Sequence, residues 1–228
     1  MKTLELYWPL EHYVISQRFG ANANVMGYES GGHPGMDLIT TYGDTTRFAA
    51  EGPVYKTINF NNPDLMKYRA VMQLVEIDDS LDCYEITYGH CDKLLCPHGL
   101  AQISDPVATE GNTGEVYSGG RLITLAEKLA GSKAGFHLHF QLRYCRKVTT
   151  YDPTQHYLSS EQDQTKPYFD GRYYYVIPHF DNGCNGCIDP MPFMVSRSAR
   201  EAGQIITGLK ADLAFATSEI ENLKAGSA

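Results

Sequence analysis

The eight residues 135–142, Gly-Phe-His-Leu-His-Phe-Gln-Leu, constrain the fold of this chain more than any other stretch. Polar and apolar side chains alternate across them, which is the pattern of a half-buried β-strand. One face of such a strand presents His137, His139 and Gln141, and the other carries two leucines and a phenylalanine. An isolated His-x-His pair is common by chance. It therefore indicates a metal or proton-transfer site only if other parts of the chain supply partners.

Two upstream segments offer such partners. Residues 32–39 (Gly-His-Pro-Gly-Met-Asp-Leu-Ile) follow a glycine-rich loop, and their Gly and Pro residues predict tight turns that hold His33 and Asp37 near each other at the start of a strand. Residues 88–90, Tyr-Gly-His, end another β-like run. Zinc prefers imidazole nitrogen and carboxylate oxygen in a tetrahedron, and a catalytic site leaves one position open. Two upstream residues and one strand histidine would supply three ligands, while the other histidines could move protons or stabilise an oxyanion.

Five motifs, in this order, resemble those of the lysostaphin/LytM-type zinc endopeptidases, which cut peptide bonds in bacterial peptidoglycan. They are Ile-Ser-Gln-Arg-Phe-Gly at 15–20, Gly-His-Pro-Gly-Met-Asp-Leu at 32–38, Tyr-Gly-His at 88–90, Gly-Asn-Thr-Gly at 111–114 and His-Leu-His-Phe at 137–140. The resemblance extends from about Ile15 to Leu158. It implies a mainly β fold whose antiparallel sheet forms a groove, with zinc as the cofactor and a peptidoglycan peptide as the substrate.

The resemblance also implies a role for each site residue. His33, Asp37 and His139 correspond to the zinc ligands. His90 and His137 correspond to the two non-ligand histidines, which orient or activate water and stabilise the tetrahedral intermediate. All five positions carry the residue type that the chemistry needs, which favours an active hydrolase.

Two departures from the family pattern lie just before the His-x-His strand. Phe136 stands where a small residue or proline is frequent. About twenty residues, including a predicted short amphipathic helix at 121–130, are inserted between the glycine-rich turn and that strand. Such an insertion could wall the groove and alter substrate choice, but it removes no ligand.

The pattern along the chain predicts three parts. Residues 1–158 form the endopeptidase domain, whose β-like runs at 54–60, 70–77, 84–90 and 105–109 are typical of an antiparallel all-β architecture. Residues 159–195 form a Tyr- and Cys-containing β-like extension after a polar linker. Residues 196–228 form a C-terminal α-helix, in which small and apolar residues recur every three and four positions from 199 to 223. This heptad spacing predicts either a coiled coil or an amphipathic helix packed on its own domain.

Charge and composition exclude some partners. A net charge of −8 and a pI near 5.4 argue against nucleic acid. Nothing approaches the roughly 18 apolar residues of a membrane helix, and the first ten residues lack the apolar core of a signal peptide. The six cysteines are sparse for a disulfide scaffold. Cys91, Cys96, Cys184 and Cys187 could form a second zinc site, although a disulfide or free thiols are the more ordinary expectation.

The sequence therefore predicts a zinc metallo-endopeptidase that hydrolyses stem or cross-link peptides of peptidoglycan. The absent signal peptide and the heptad segment suggest a phage tail component that forms homo-oligomers, or binds an assembly partner, through its C-terminal helix. Export to the cell wall by a route without a signal peptide is the alternative. The competing functional class is a non-catalytic structural or wall-binding component of a phage tail that uses the same fold as a scaffold.

Overall fold

The protein is mainly β in a computed structural model that describes residues 4–23, 30–59, 66–77, 80–96, 99–161 and 163–196. One α-helix, α1 (Leu125–Leu129), and one 3₁₀ turn, Met191–Phe193, occur within these ranges. The strands are β1 Leu6–Tyr7, β2 Val14–Gln17, β3 Met36–Ile39, β4 Thr45–Arg47, β5 Gly52–Ile58, β6 Ala70–Glu76, β7 Asp82–Gly89, β8 Lys93–Leu94, β9 Gly99–Ala101, β10 Pro106–Thr109, β11 Tyr117–Ser118, β12 Arg121–Leu122, β13 Leu138–Val148, β14 Tyr174–Val176, β15 Cys187–Ile188 and β16 Met194–Val195.

A nine-stranded sheet organises the fold around β13. Its main path runs β2-β3-β13-β7-β6-β5-β9, and both β14 and β15 also pair with β13. Every pairing in this sheet is antiparallel, so the predicted antiparallel β class is confirmed. A smaller sheet of order β4-β10-β8 lies beside it, and β1 pairs with β16 in parallel.

The alternation that predicted β13 is present in the structure. Leu138, Phe140 and Leu142 are at most 1% exposed and enter the main core, where Phe140 packs edge-on against Tyr88 with ring centroids 5.6 Å apart. Burying each of these side chains stabilises the fold by about 1.5–3 kcal/mol. The opposite face of the strand is thereby directed away from this core, toward the site described below. His137 precedes the strand and forms an isolated bridge with Gly111.

The inserted segment is organised differently from the prediction. The helix expected over 121–130 spans only Leu125–Leu129, because residues 117–122 form the β11–β12 hairpin instead. Gly119 and Gly120 allow this tight turn with φ of 59° and 80°, a region that other residues rarely adopt. Thr124 caps the N-terminus of helix α1. Its side chain accepts a bond from the backbone of Glu127, while the Glu127 carboxylate accepts one from the Thr124 backbone.

The segment 159–195 is hydrogen-bonded to the central sheet. Residues 174–176 pair with the distal part of β13, and residues 187–188 pair with its middle. The division of the chain into three parts stays a prediction. The C-terminal helix predicted over 196–228 lies outside the described residues, apart from residue 196, and so does its heptad pattern. Within the described ranges, no helix has the length and apolar character needed to cross a membrane.

A buried carboxyl directly precedes the glycine-rich turn 111–114. Glu110 is 1% exposed, and burial raises its pKa to about 8 against the opposite effect of the backbone amides of Thr40 and Leu138. The folded protein therefore keeps a proton on Glu110 that the unfolded chain releases above about pH 4.5. It follows that this group lowers the free energy of unfolding as the pH rises from about 4.5 to about 8.

We expect Glu110→Gln, which keeps the shape and removes the titration, to stabilise the protein by about 1–3 kcal/mol at pH 9 and to change little at pH 4.5. Urea unfolding at both pH values and at fixed zinc concentration measures this. Glu51→Gln, at an exposed glutamate, is the matched control. An equal pH dependence of stability in the two variants would contradict the assignment.

Candidate metal centre and groove

Three potential metal ligands meet at one end of β13. The Nε2 atom of His33 lies 3.0 Å from Nδ1 of His139, and each of these nitrogens lies 3.1 Å from Oδ1 of Asp37. All three residues are buried. Among the described residues, this is the one group of three or more His, Cys, Asp or Glu side chains whose geometry could hold a metal ion.

The spacing of these atoms fits zinc. Zinc binds imidazole nitrogen and carboxylate oxygen at about 2.0–2.1 Å, so ligand atoms at the corners of a tetrahedron lie about 3.3 Å apart. The three observed separations are close to that edge length. Two imidazoles and one carboxylate are also a donor set that zinc accepts, and three protein ligands leave a fourth corner open. The sequence-predicted ligand set is therefore brought together and fits a zinc ion.

The register of two strand pairs produces this cluster. His139 lies directly opposite Asp37 in the β3–β13 pair, and neighbouring strands place such opposed side chains on the same face. His33 belongs to the loop before β3, where its backbone amide donates to Ala21 and its carbonyl accepts from Gly20. Gly35 makes the close approach possible, since a Cβ there would lie 2.6 Å from the Phe140 carbonyl and 3.0 Å from the His139 ring.

Asp37 is ionised despite its burial. Burial by itself raises the pKa of this carboxyl, but its hydrogen bonds with His139 and His33 outweigh that effect and hold the pKa of Asp37 well below its usual range. A carboxylate among three imidazoles is thus present throughout the physiological range. That is the charge state in which Asp37 could bind a cation.

His137 and His90 lie beside the cluster. Their ring centroids are 4.4 Å apart, and Nε2 of His137 is 3.6 Å from Oδ1 of Asp37. Nδ1 of His90 lies 2.6 Å from the Thr113 carbonyl, and Nδ1 of His137 lies 2.8 Å from the Gly135 carbonyl. A carbonyl only accepts, so Nδ1 carries the proton in both rings and Nε2 is the basic nitrogen of the neutral form. Burial lowers the pKa of both histidines, which favours that neutral form.

A groove of about 760 Å³ runs over the cluster and both histidines. Ser16 and Gln17 of β2 line it on the β3 side, where a bulge in the pairing places Gln17 opposite Asp37. The inserted segment also lines it, through Glu115, Tyr117 and the turn at 119–120. The insertion predicted to wall the groove therefore does so, although its hairpin rather than its helix supplies the wall.

Sequence reasoning missed two residues that contact the site. Tyr68 lines the groove with its ring 5.0 Å from that of His90, and burial raises its pKa, so it stays protonated. Thr113 was seen only as part of a glycine-rich turn, yet its carbonyl fixes His90. No local pattern marks Tyr68. The one usable signal was that position 113 lies inside a recognised motif.

The four-cysteine zinc site considered from the sequence is not formed within the described residues. Cys91 is buried in the main core near Cys96, whereas Cys184 contacts the Gly32 carbonyl and Cys187 pairs with β13. The two pairs belong to different parts of the fold. All six cysteines are free thiols.

No protein-family model and no curated protein sequence matches this chain. Several solved structures are similar to it. A zinc-containing peptidase from Vibrio cholerae is 24% identical over 63% of this chain and 37% of its own length, with a TM-score of 0.42. The catalytic domain of lysostaphin from Staphylococcus simulans is 16% identical over 79% of this chain and 91% of its own, also at 0.42. The catalytic domain of the prophage-encoded protein EnpA from Enterococcus faecalis is 16% identical over 59% of this chain and 82% of its own length, with a TM-score of 0.41.

We expect the protein to bind one zinc ion and Asp37→Ala to bind none at micromolar zinc, because this variant removes the one anionic ligand. His137→Ala is the matched control, since it removes an adjacent imidazole outside the ligand triangle and should retain one zinc. Elemental analysis of dialysed protein gives the stoichiometry. Equal zinc content in the two variants would contradict the ligand assignment.

Proposed function

We propose that this protein is a zinc-dependent endopeptidase that hydrolyses stem or cross-link peptides of bacterial peptidoglycan. One observation carries the proposal. Three buried ligand atoms at tetrahedral spacing lie beside two neutral imidazoles of fixed tautomer, and all five side chains line one open groove. The peptidoglycan substrate follows from the five sequence motifs that resemble the lysostaphin/LytM-type enzymes.

His33, Asp37 and His139 would hold the metal ion. When bound there, zinc polarises a carbonyl and lowers the pKa of a coordinated water from about 16 to about 7. The ionised Asp37 supplies the negative charge that retains a divalent cation in a buried site. Its Oδ1 atom lies 3.1 Å from a nitrogen of each ligating histidine, and all three residues line the groove.

His90 and His137 would move the protons. Each ring donates its Nδ1 proton to a backbone carbonyl, so Nε2 is the atom able to take a proton from the attacking water and later return it to the leaving amine. The carbonyls of Thr113 and Gly135 would stabilise the imidazolium formed in between. Because burial keeps both rings neutral, the basic form is available at neutral pH.

The size and lining of the groove suit a peptide substrate. Its volume of about 760 Å³ is within the range of sites that enclose small ligands, and it is open along the surface between β2 and the inserted hairpin. Tyr68 and Phe136 give its lining an apolar component beside the charged cluster. A peptide lying there would bring its carbonyl next to the metal ligands.

The setting in a phage tail stays a prediction. The heptad segment on which it partly rests lies outside the described residues. A non-catalytic scaffold remains the competing class, and zinc stoichiometry separates the two, because a scaffold has no need of a loaded metal site.

The decisive experiment is mass spectrometry of purified peptidoglycan incubated with the protein. We expect peptide fragments with new amino termini, their loss in the presence of a chelator, and their return when zinc is added back. The masses identify the bond that is cut. Intact peptides after incubation with the zinc-loaded protein would overturn the proposed function.

We expect His90→Ala and His137→Ala each to lower the hydrolysis rate by about 10²–10⁴-fold while one zinc stays bound, because each removes a proton-transfer group and spares the ligands. His12→Ala, at an exposed histidine outside the groove, is the control and should keep full activity. The rate is measured as release of new amino groups from peptidoglycan. Undiminished activity in His137→Ala would contradict the mechanism.

A further inference from the structure

We infer that Lys128, in the inserted segment, is a positioning residue that holds the glycine-rich turn 111–114 and, through that turn, both His90 and His137. This inference rests on the proposed function, since the two histidines are its proton-transfer groups. It assigns to the insertion a second role beyond walling the groove.

Lys128 is buried although it lies on a short surface helix. The residue is 3% exposed, and its Nζ donates to the Asn112 carbonyl at 2.6 Å and to the Gly114 carbonyl. Lysine is almost never fully buried unless its charge is paired or solvated by protein groups. Here two carbonyls of the turn bind the ammonium group, so their positions depend on it.

The turn binds the insertion in return. The side-chain amide of Asn112 donates to the carbonyls of Ser132 at 3.0 Å and Ala134 at 3.3 Å. Contacts therefore run in both directions between the turn and the helical end of the insertion. The two parts form one hydrogen-bonded unit.

The same turn fixes the two histidines. Thr113 lies between the two carbonyls that Lys128 binds, and its own carbonyl accepts the Nδ1 proton of His90 at 2.6 Å. The Gly111 carbonyl accepts the backbone amide of His137 at 3.1 Å. A shift of the turn would thus move the hydrogen-bond acceptor of one proposed proton-transfer group and the backbone of the other.

His90 has a particular need for this support. Its φ of 60° is in the left-handed region, which costs a non-glycine residue about 1–3 kcal/mol and persists only where its surroundings hold it. The bond to Thr113 is one such constraint. Thr113 is itself held through its hydroxyl, which donates to the Cys91 carbonyl and accepts from the Arg69 amide.

Helix α1 is too short to be stable without contacts to the rest of the protein. It has five residues, and a helix that short is unstable by itself in water. On its exposed side, a capping box at Thr124 and an Arg121–Glu127 ion pair stabilise its first turn without touching residues 111–114. The helix can therefore be weakened on that side while the Lys128 contacts are kept, which provides a matched control.

The test compares Lys128→Met with Thr124→Ala in the zinc-loaded, full-length protein. For Lys128→Met we expect kcat on peptidoglycan peptides to fall by about 10–100-fold, KM to stay within about twofold and one zinc to remain bound, because the ligands are untouched and displacement of catalytic groups lowers the rate of the chemical step. Thr124→Ala should lower the melting temperature and leave kcat unchanged. Lys128→Arg, which keeps the charge and the donors, should restore part of the lost kcat.

Wild-type kcat in Lys128→Met, or a raised KM at unchanged kcat, would overturn the inference and leave the insertion as a wall only. If Lys128→Met does not fold, Asn112→Ala removes the turn's side-chain bonds to Ser132 and Ala134, which are the other contacts that join the turn to the insertion, and the same criteria apply. If the wild type hydrolyses nothing, the proposed function fails. Hydrogen exchange then decides the inference, since Lys128→Met should accelerate exchange at 88–92 and 111–114 but not at 36–39, and unchanged exchange would refute it.

Discussion

The antiparallel pairing of β13 with β3 and β7 is the interaction on which the candidate site depends. It places His139 opposite Asp37 on one side and Gly89 on the other. Because side chains alternate along a strand, a slip of one residue would turn His139 into the core and bring Leu138 to the groove. The burial of Leu138, Phe140 and Leu142 makes that slip costly, so the same apolar face that stabilises the sheet also fixes the metal-binding geometry.

Asp37 makes most of the charged contacts in the candidate site. Asp37 lies within 3.1 Å of two imidazoles and within 3.6 Å of a third, all in a largely buried setting. Its charge is maintained by those contacts against the cost of burial. Glu110 lies three residues before Thr113, whose carbonyl contacts His90. It has no imidazole beside it among the interactions that shift its pKa, and burial raises that pKa to about 8. Burial raises the pKa of both acids, and only Asp37 has hydrogen bonds with imidazoles that outweigh it.

The inserted segment contacts both the groove and the turn at 111–114. Its hairpin carries Tyr117 and the turn at 119–120 into the groove, while its helix directs Lys128 beneath the turn at 111–114. The segment predicted to be an insertion is therefore hydrogen-bonded to the turn at 111–114. One stretch of chain therefore both lines the groove and contacts the turn that holds His90.

The local sequence determined those features that depend on periodicity and residue type. Alternation predicted the face of β13 that is buried, and the β-like runs predicted β5, β6, β7 and β10. Residue chemistry predicted that His33, Asp37 and one of the two strand histidines would be suitable zinc ligands. The resemblance to the lysostaphin/LytM-type enzymes selected His139, and the structure brings these three residues together. Their roles, with those of His90 and His137, stay predictions. The inserted helix was predicted too long, because the glycine pair at 119–120 favours a hairpin over helix propensity.

Only the tertiary structure decided how distant segments meet. His33 and His139 are 106 positions apart, and no local pattern encodes their 3.0 Å contact. The tautomers of His90 and His137 are set by carbonyls of Thr113 and Gly135. The burial of Lys128 and the separation of the two cysteine pairs depend in the same way on packing between remote segments. The periodicity of the sequence specifies which face of a strand or helix is buried. Which residues from other segments pack against that face depends on how the whole chain folds.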